Sequence, residues 1–235
     1  MGLPQWALNR FKVHRLNLET EAGIEVPVTV IRPTDGYGYA GILVALDDSD
    51  KESLLSDSVV QEALRRDYLV VELDPRGFGE LSLTNPGWVY ATSLLIGDNL
   101  VRGQALDITT VLESFSGNKA TSGLLAVYAR GPQSSLAAIY AVITYRLTNL
   151  RWAVMKNSYV EFEQFLGRRS AERATSTDIP YSFLGWKALQ ANNMTDLLSR
   201  KITKSFFIDA IEPNRIHKGP NVDIVTVDDF IANGW

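Results

Sequence analysis

The chain contains no cysteine and only two histidines, His14 and His217. Disulfides, thiolate metal sites and a cysteine nucleophile are therefore excluded, and an imidazole-based mechanism has two candidate residues. An excess of charge of one sign is also missing. The 23 Lys and Arg residues stand against 27 Asp and Glu, for a net charge of −4, and no basic run occurs. A nucleic-acid partner or an anionic membrane surface thus has no electrostatic footing. No apolar run reaches the roughly 20 residues of a membrane span. The first ten residues (MGLPQWALNR) lack the apolar stretch of a signal peptide. Trp6 stands where myristoylation requires Ser or Thr. No Walker loop, dinucleotide fingerprint or metal triad occurs, so neither a cofactor nor a metal is expected.

What is there is ordinary globular composition: 235 residues, 46% hydrophobic and 21% charged. Such a chain has enough apolar surface for a core. Its length predicts one soluble domain spanning residues 1–235, because domains cluster at roughly 100–200 residues and α/β folds run longer.

The apolar pattern changes character along the chain. FKVHRLNLET and EAGIEVPVTVIRP, separated by a turn at Gly23, predict an antiparallel hairpin. GILVALDD, YLVVELD, SGLLAVYA, RWAVMKN, KSFFIDAIE and VDIVTVD are short, nearly continuous apolar runs, the mark of strands buried on both faces. Between them lie helical patterns: SDKESLLSDSVVQEALRRD, SLLIGDNLVRGQALDITTVLESF read as one long helix, and SSLAAIYAVITYRL. The stretch from Tyr159 to Arg200 is mixed, helical with loops. Strands alternating with helices predict a mostly parallel sheet covered on both faces.

One motif sits where a buried strand ends: Asp74-Pro75-Arg76-Gly77-Phe78-Gly79-Glu80. Its glycines permit a tight loop that Asp74 or Arg76 can tie down. Gly77-Phe78-Gly79 is too short for a phosphate cradle. At these residues the chain resembles the α/β-hydrolases, in which a strand ending D-x-R-G-x-G-x-S is common. LLIGDNLVRGQALDITTVLESF is similar to the helix before the nucleophile strand of acetyl xylan esterases and related prolyl-oligopeptidase-like hydrolases. YSFLGWKALQANNMTDLLSRKITKSFFIDAIEPN looks like that group's run into its seventh strand. The resemblance runs from Phe11 to Val227. It departs at Glu80-Leu81-Ser82, where the family's serine would stand at Leu81. It implies an α/β-hydrolase-type three-layer sandwich: a mostly parallel sheet, helices on both faces and an N-terminal antiparallel hairpin. The chain is shorter than such enzymes usually are, with little room for a lid or a final helix.

The resemblance also says where chemistry should sit. The family's nucleophile stands in G-x-S-x-G, on a sharp turn between strand and helix. The matching stretch here is Ala129-Arg130-Gly131-Pro132-Gln133, so the serine position holds Gly131. Glycine relieves the strain of such an elbow and carries no nucleophile, and Pro132 suits the first turn of the following helix. Ser134 and Ser135 follow inside that turn, where hydroxyls commonly bond helix backbone. The family's acid follows the seventh strand, near Asp209 and Glu212, for which a solvated loop carboxylate is the plain reading. Its histidine follows the last strand, where this chain has Asp228 and Asp229. His217 lies between the last two strands and His14 in the first hairpin, and a surface histidine is the default for both. The family builds part of its oxyanion hole after the third strand. This chain has Asp47-Asp48-Ser49-Asp50 there, whose plain reading is a helix N-terminus with capping acids. That cluster lacks the spacing of a calcium loop.

Two functions follow as expectations. The first is a catalytically degenerate hydrolase domain serving in binding, scaffolding or dimerisation. Its elbow is Gly131 and Pro132, and its partner is a carbohydrate or another hydrolase domain. Trp88 and Trp186, in loop-rich segments, are the candidates for stacking on sugar rings, against the commoner use of Trp in cores. The second is an active carboxylic-ester hydrolase of acetyl esterase type with a rearranged site: Ser134 or Ser135, His217 and Glu212. Fold alone decides neither.

Overall fold

The computed structural model describes residues 10–34, 38–49, 51–96, 98–116, 124–144, 149–160, 197–198, 201, 203–211 and 220–235. Eight strands form one sheet: β1 (Phe11–Glu21), β2 (Ile24–Pro33), β3 (Ile42–Asp47), β4 (Leu69–Leu73), β5 (Leu125–Arg130), β6 (Leu150–Lys156), β7 (Lys204–Ile208) and β8 (Val222–Val225). Their spatial order is β1-β2-β4-β3-β5-β6-β7-β8. β1 and β2 form the expected antiparallel hairpin, and β2 also runs antiparallel to β4. From β4 to β8 every neighbouring pair is parallel.

The continuous apolar runs are explained by burial on both faces. β3 is buried at all six positions and β4 at all five. Alternate residues feed two separate cores. Val44, Leu46, Val71, Val127 and Ala129 point to one side, beneath α3 (Leu100–Ser116) and α4 (Pro132–Thr144). Leu43, Ala45, Val70, Ala126 and Tyr128 point to the other, beneath a 3₁₀ turn at Lys51–Ser56, α1 (Ser58–Arg65) and α5 (Val227–Asn233). α4 is buried continuously from Ser134 to Val142, which accounts for its unbroken apolar sequence.

Three expectations are corrected. The long helix read over residues 93–115 is two helices. α2 (Pro86–Leu95) ends before Asn99, whose side chain accepts the Val101 N–H at 3.0 Å and starts α3. The last strand stops at Val225, and a final helix does follow. Thr226 caps α5 by accepting the Asp229 N–H at 3.1 Å, and Asp228 and Asp229 lie in the first turn, where the helix dipole favours acids. The cap of α1 comes from Asp57, which accepts the Val59 N–H at 2.9 Å, and not from the Asp47–Asp50 cluster. Trp6, Asp50, Trp186, Glu212, His217 and most of the Tyr159–Arg200 stretch lie outside the described residues. Among the described residues no helix is long and apolar enough to cross a membrane.

The loop after β4 is fixed as its glycines and charges predict, by Asp74 and Arg76 together. Asp74 accepts the Glu80 N–H at 3.1 Å, and its carboxylate fills the space beside Gly79. Arg76 grips Asp107 of α3 with Nε at 2.9 Å and Nη2 at 2.7 Å. The fully buried Asp107 also accepts the Arg76 N–H at 3.0 Å and the Thr20 hydroxyl at 2.5 Å. All of its acceptor capacity is used, which is the condition for a buried carboxylate to be tolerated.

Candidate active site

The carboxyl ends of β3, β5, β6 and β7 lie side by side. The residue after each of the first three donates its N–H to the adjacent strand end: Asp48 to the Arg130 carbonyl at 3.1 Å, Gly131 to Lys156 at 2.9 Å, and Asn157 to Ile208 at 3.0 Å. Gly131, Asn157 and Asp209 then leave the sheet with positive φ, at 98°, 53° and 49°. Gly131 is therefore a left-handed turn from β5 straight into α4, the strand–turn–helix geometry expected at the elbow. Pro132 occupies the first helical position, as predicted.

The space beside Gly131 is occupied by Asp48. A Cβ at position 131 would fall 2.6 Å from Asp48 Oδ2 and 2.8 Å from Oδ1. The same carboxylate takes the first free donors of α4, accepting the Gln133 N–H at 3.0 Å and the Ser134 N–H at 2.6 Å. Asp48 thus caps a helix 85 residues away, across two strands, instead of the helix that follows it in sequence. Burial pushes its carboxyl above the ordinary aspartate value of 3.8. Hydrogen bonds from Ser134 and Gln133 oppose the rise, and the adjacent charge of Asp47 adds to it.

Asp47 belongs to a second network on the opposite face of the sheet. Arg130 pairs with Asp47 and donates to the Ser53 hydroxyl. Arg130 Nη1 also lies 3.5 Å from Asp57, which accepts from Lys156 Nζ at 2.9 Å. Burial, and next the charge of Asp57, push the Tyr128 phenol well above its ordinary 10.0. Arg130 and Lys156, with Asp47 and Asp57, cross-link the ends of β3, β5 and β6 to the start of α1, and these four charges offset one another.

The remaining candidates fall as follows. Ser134 is completely buried in the first turn of α4, and its Oγ lies against the Asp48 carboxylate without reaching hydrogen-bond geometry among the described residues. Ser135 is also completely buried, its hydroxyl 3.4 Å from the Ala129 carbonyl. Asp209 is exposed. His14 is exposed in the middle of β1. Trp88 is 68% exposed on α2. Among the described residues no group of three or more His, Asp or Glu side chains could hold a metal ion.

Two features of the elbow bear on its chemistry, one legible in the sequence and one not. Proline has no N–H, so Pro132 removes a donor from the position directly after the elbow residue, where the G-x-S-x-G arrangement uses one for its oxyanion hole. That signal was present in the sequence. The capture of α4 by Asp48 was not, because it depends on the parallel pairing of β3 with β5.

No protein-family model and no curated protein matches the chain. Solved structures do. A candidate acetyl xylan esterase from Bacteroides fragilis superposes with a TM-score of 0.71 over 95% of this chain and 68% of its own, at 12% identity. Acetyl xylan esterase from Paenibacillus sp. R4 gives 0.66 over 95% and 80%, at 13% identity. An esterase from Pyrococcus furiosus gives 0.60 over 92% and 80%, at 15% identity. These likenesses establish an α/β-hydrolase fold.

Proposed function

We propose that this chain is a catalytically degenerate α/β-hydrolase-fold domain of acetyl xylan esterase type, serving in binding, scaffolding or dimerisation. The observation that carries the reading is the Asp48 carboxylate seated beside Gly131. An ester hydrolase needs a nucleophile at the elbow and N–H donors facing the developing oxyanion. Here the elbow has no side chain, the next residue has no N–H, and the next two N–H groups are taken by a carboxylate. An ester carbonyl approaching this turn would meet a negative charge where its own is to develop. Burial of Ser134 and Ser135 supports the same reading, since neither hydroxyl is presented to solvent.

Turnover of a short-chain nitrophenyl ester tests it. The expected result is no rate above a heat-denatured sample. Steady turnover that copurifies with the protein and vanishes in a Ser134→Ala, Ser135→Ala or His217→Ala variant would establish the rearranged ester hydrolase instead.

A further inference from the structure

A helix on the surface of a globular protein ordinarily turns a polar face to water. α2 does the reverse. Residues 81–97, which contain it, carry no charge at all, although 21% of the chain is charged. Trp88 is 68% exposed, Leu95 87% and Ile96 76%. They are three of the five large apolar residues exposed among the described residues. Positions 88, 92, 95 and 96 stand at i, i+4, i+7 and i+8, so they share one stripe running along α2 and into the turn after it. The polar member of the stripe is Thr92, and its hydroxyl is turned back to donate to the Trp88 carbonyl at 2.8 Å. The stripe is therefore apolar over its whole length.

Its size and its lack of charge indicate what fits it. With about 150–250 Å² for a Trp and somewhat less for Leu and Ile, the three side chains present roughly 450 Å² at these exposures. A standard protein interface buries about 800 Å² a side, about 60% of it apolar. The stripe thus matches the apolar share of one such interface, and the exposed Thr84, Asn85 and Asp98 at its two ends supply a polar rim. A lipid surface fits less well. Interfacial helices carry Lys and Arg beside the apolar face, whereas the charges that bound this segment are Glu80 and Asp98. A charged protein surface would lose its hydration here without gaining an ion pair. What the stripe complements is another uncharged stripe of the same length, and each copy of the chain carries one.

We propose that two copies of this chain associate through antiparallel packing of their α2 helices about a twofold axis at Thr92. In this register Trp88 lies against the partner's Leu95 and the partner's Ile96, and the reverse, while Thr92 faces itself. A side chain as small as threonine at the centre lets the helices approach to the usual separation of about 8–10 Å. Antiparallel packing also sets the two helix dipoles head to tail, which parallel packing would not. The contact is isologous, so it closes at two copies and leaves neither stripe in water. This inference gives the dimerisation reading a surface and stands apart from the elbow: ester turnover would end the degenerate reading and leave self-association unchanged.

Sedimentation velocity over a concentration series tests it. The whole chain is expected to sediment as a dimer. Trp88→Ala should weaken the dimer by about thirtyfold or more, the loss expected of a central aromatic anchor. Leu95→Glu should be a monomer, since it sets a carboxylate into each half of an apolar contact. Both side chains are mostly exposed within one copy, so both variants should keep the native circular dichroism. The chain has no cysteine, so Thr92→Cys adds a single thiol. Facing its twin across the axis, that thiol should close a disulfide between two copies on mild oxidation. Glu113→Cys, exposed towards the far end of α3, should not. A monomeric wild-type chain would overturn the proposal, and the more so if it bound neutral lipid vesicles through Trp88. So would a dimer indifferent to Leu95→Glu, or a Thr92→Cys variant that cross-links no more than Glu113→Cys.

Discussion

Asp48 and Gly131 compete for one volume: a Cβ on residue 131 would sit 2.6 Å from Asp48 Oδ2. The two positions are adjacent because β3 and β5 pair in parallel and in register, Asp47 against Arg130. A carboxylate on one strand end and a bare backbone on the next therefore specify each other. Restoring serine at the elbow without changing Asp48 asks for an overlap that the fold does not accommodate.

Gly131→Ser is accordingly expected to destabilise the protein. A non-glycine residue at φ 98° and overpacking each cost about 1–3 kcal/mol, so a total of about 2–6 kcal/mol is expected. Combining it with Asp48→Gly should recover part of the loss, although Asp48→Gly alone uncaps α4. Urea denaturation of the two single variants and the double variant measures the coupling. Strict additivity would show that the two residues do not compete for space.

The buried carboxyl of Asp48 predicts a pH dependence of defined sign. Its value in the folded state lies above the ordinary 3.8, so the folded protein holds this proton more tightly than the unfolded chain does. The corresponding stability is fully present below 3.8 and is lost as pH rises through the folded value. The stability difference between wild type and Asp48→Asn should therefore shift in favour of wild type as pH is lowered from 7 towards 4. A shift in the opposite direction would mean that the helix-terminal hydrogen bonds outweigh burial.

Arg76 and Asp107 form a buried pair with every acceptor site occupied. Asp107→Ala leaves the guanidinium, only 18% exposed, with the half-exposed Glu21 alone, and should cost on the order of 3–5 kcal/mol. Glu21, half exposed and 3.0 Å from the same arginine, should cost less than about 1 kcal/mol when replaced by alanine. Equal effects would contradict the assignment of Asp107 as the anchor of the loop after β4.

Trp235 packs edge-on against Tyr68 and Trp152, with ring centroids at 5.3 and 5.2 Å, and tilts against Phe230 at 5.6 Å. Arg66 lies over its ring at 5.4 Å and donates to the Ile231 carbonyl at 3.3 Å. Trp235→Ala is expected to cost about 2 kcal/mol, less than a fully buried tryptophan because the residue is half-buried. Thermal unfolding checks this, and an unchanged midpoint would mean that α5 holds its place without it.

Much of this architecture is legible in the sequence. Five of the six short apolar runs are strands inside the sheet, where both faces are covered and burial erases alternation, whereas β8 is the part-buried edge. β1 alternates only loosely for the opposite reason: most of it is exposed on both faces. The break between α2 and α3 is hidden in the sequence because apolar periodicity continues through Leu94, Leu95 and Ile96, and only Asn99 marks the new start. The candidate site was half visible. Gly131 could be read from the chain, whereas the role of Asp48 arises from a contact between residues 83 positions apart. Local capping rules assign such an aspartate to the nearest helix, and here the nearest helix in space is α4.

The central claim is that no reactive serine is presented at the elbow. Fluorophosphonate labelling of the pure protein, read by intact mass, tests it most directly, because the probe reports a nucleophile without requiring the right ester. An unchanged mass after prolonged exposure is expected. A single adduct on native protein, absent after heat denaturation and mapped to Ser134 or Ser135, would contradict it.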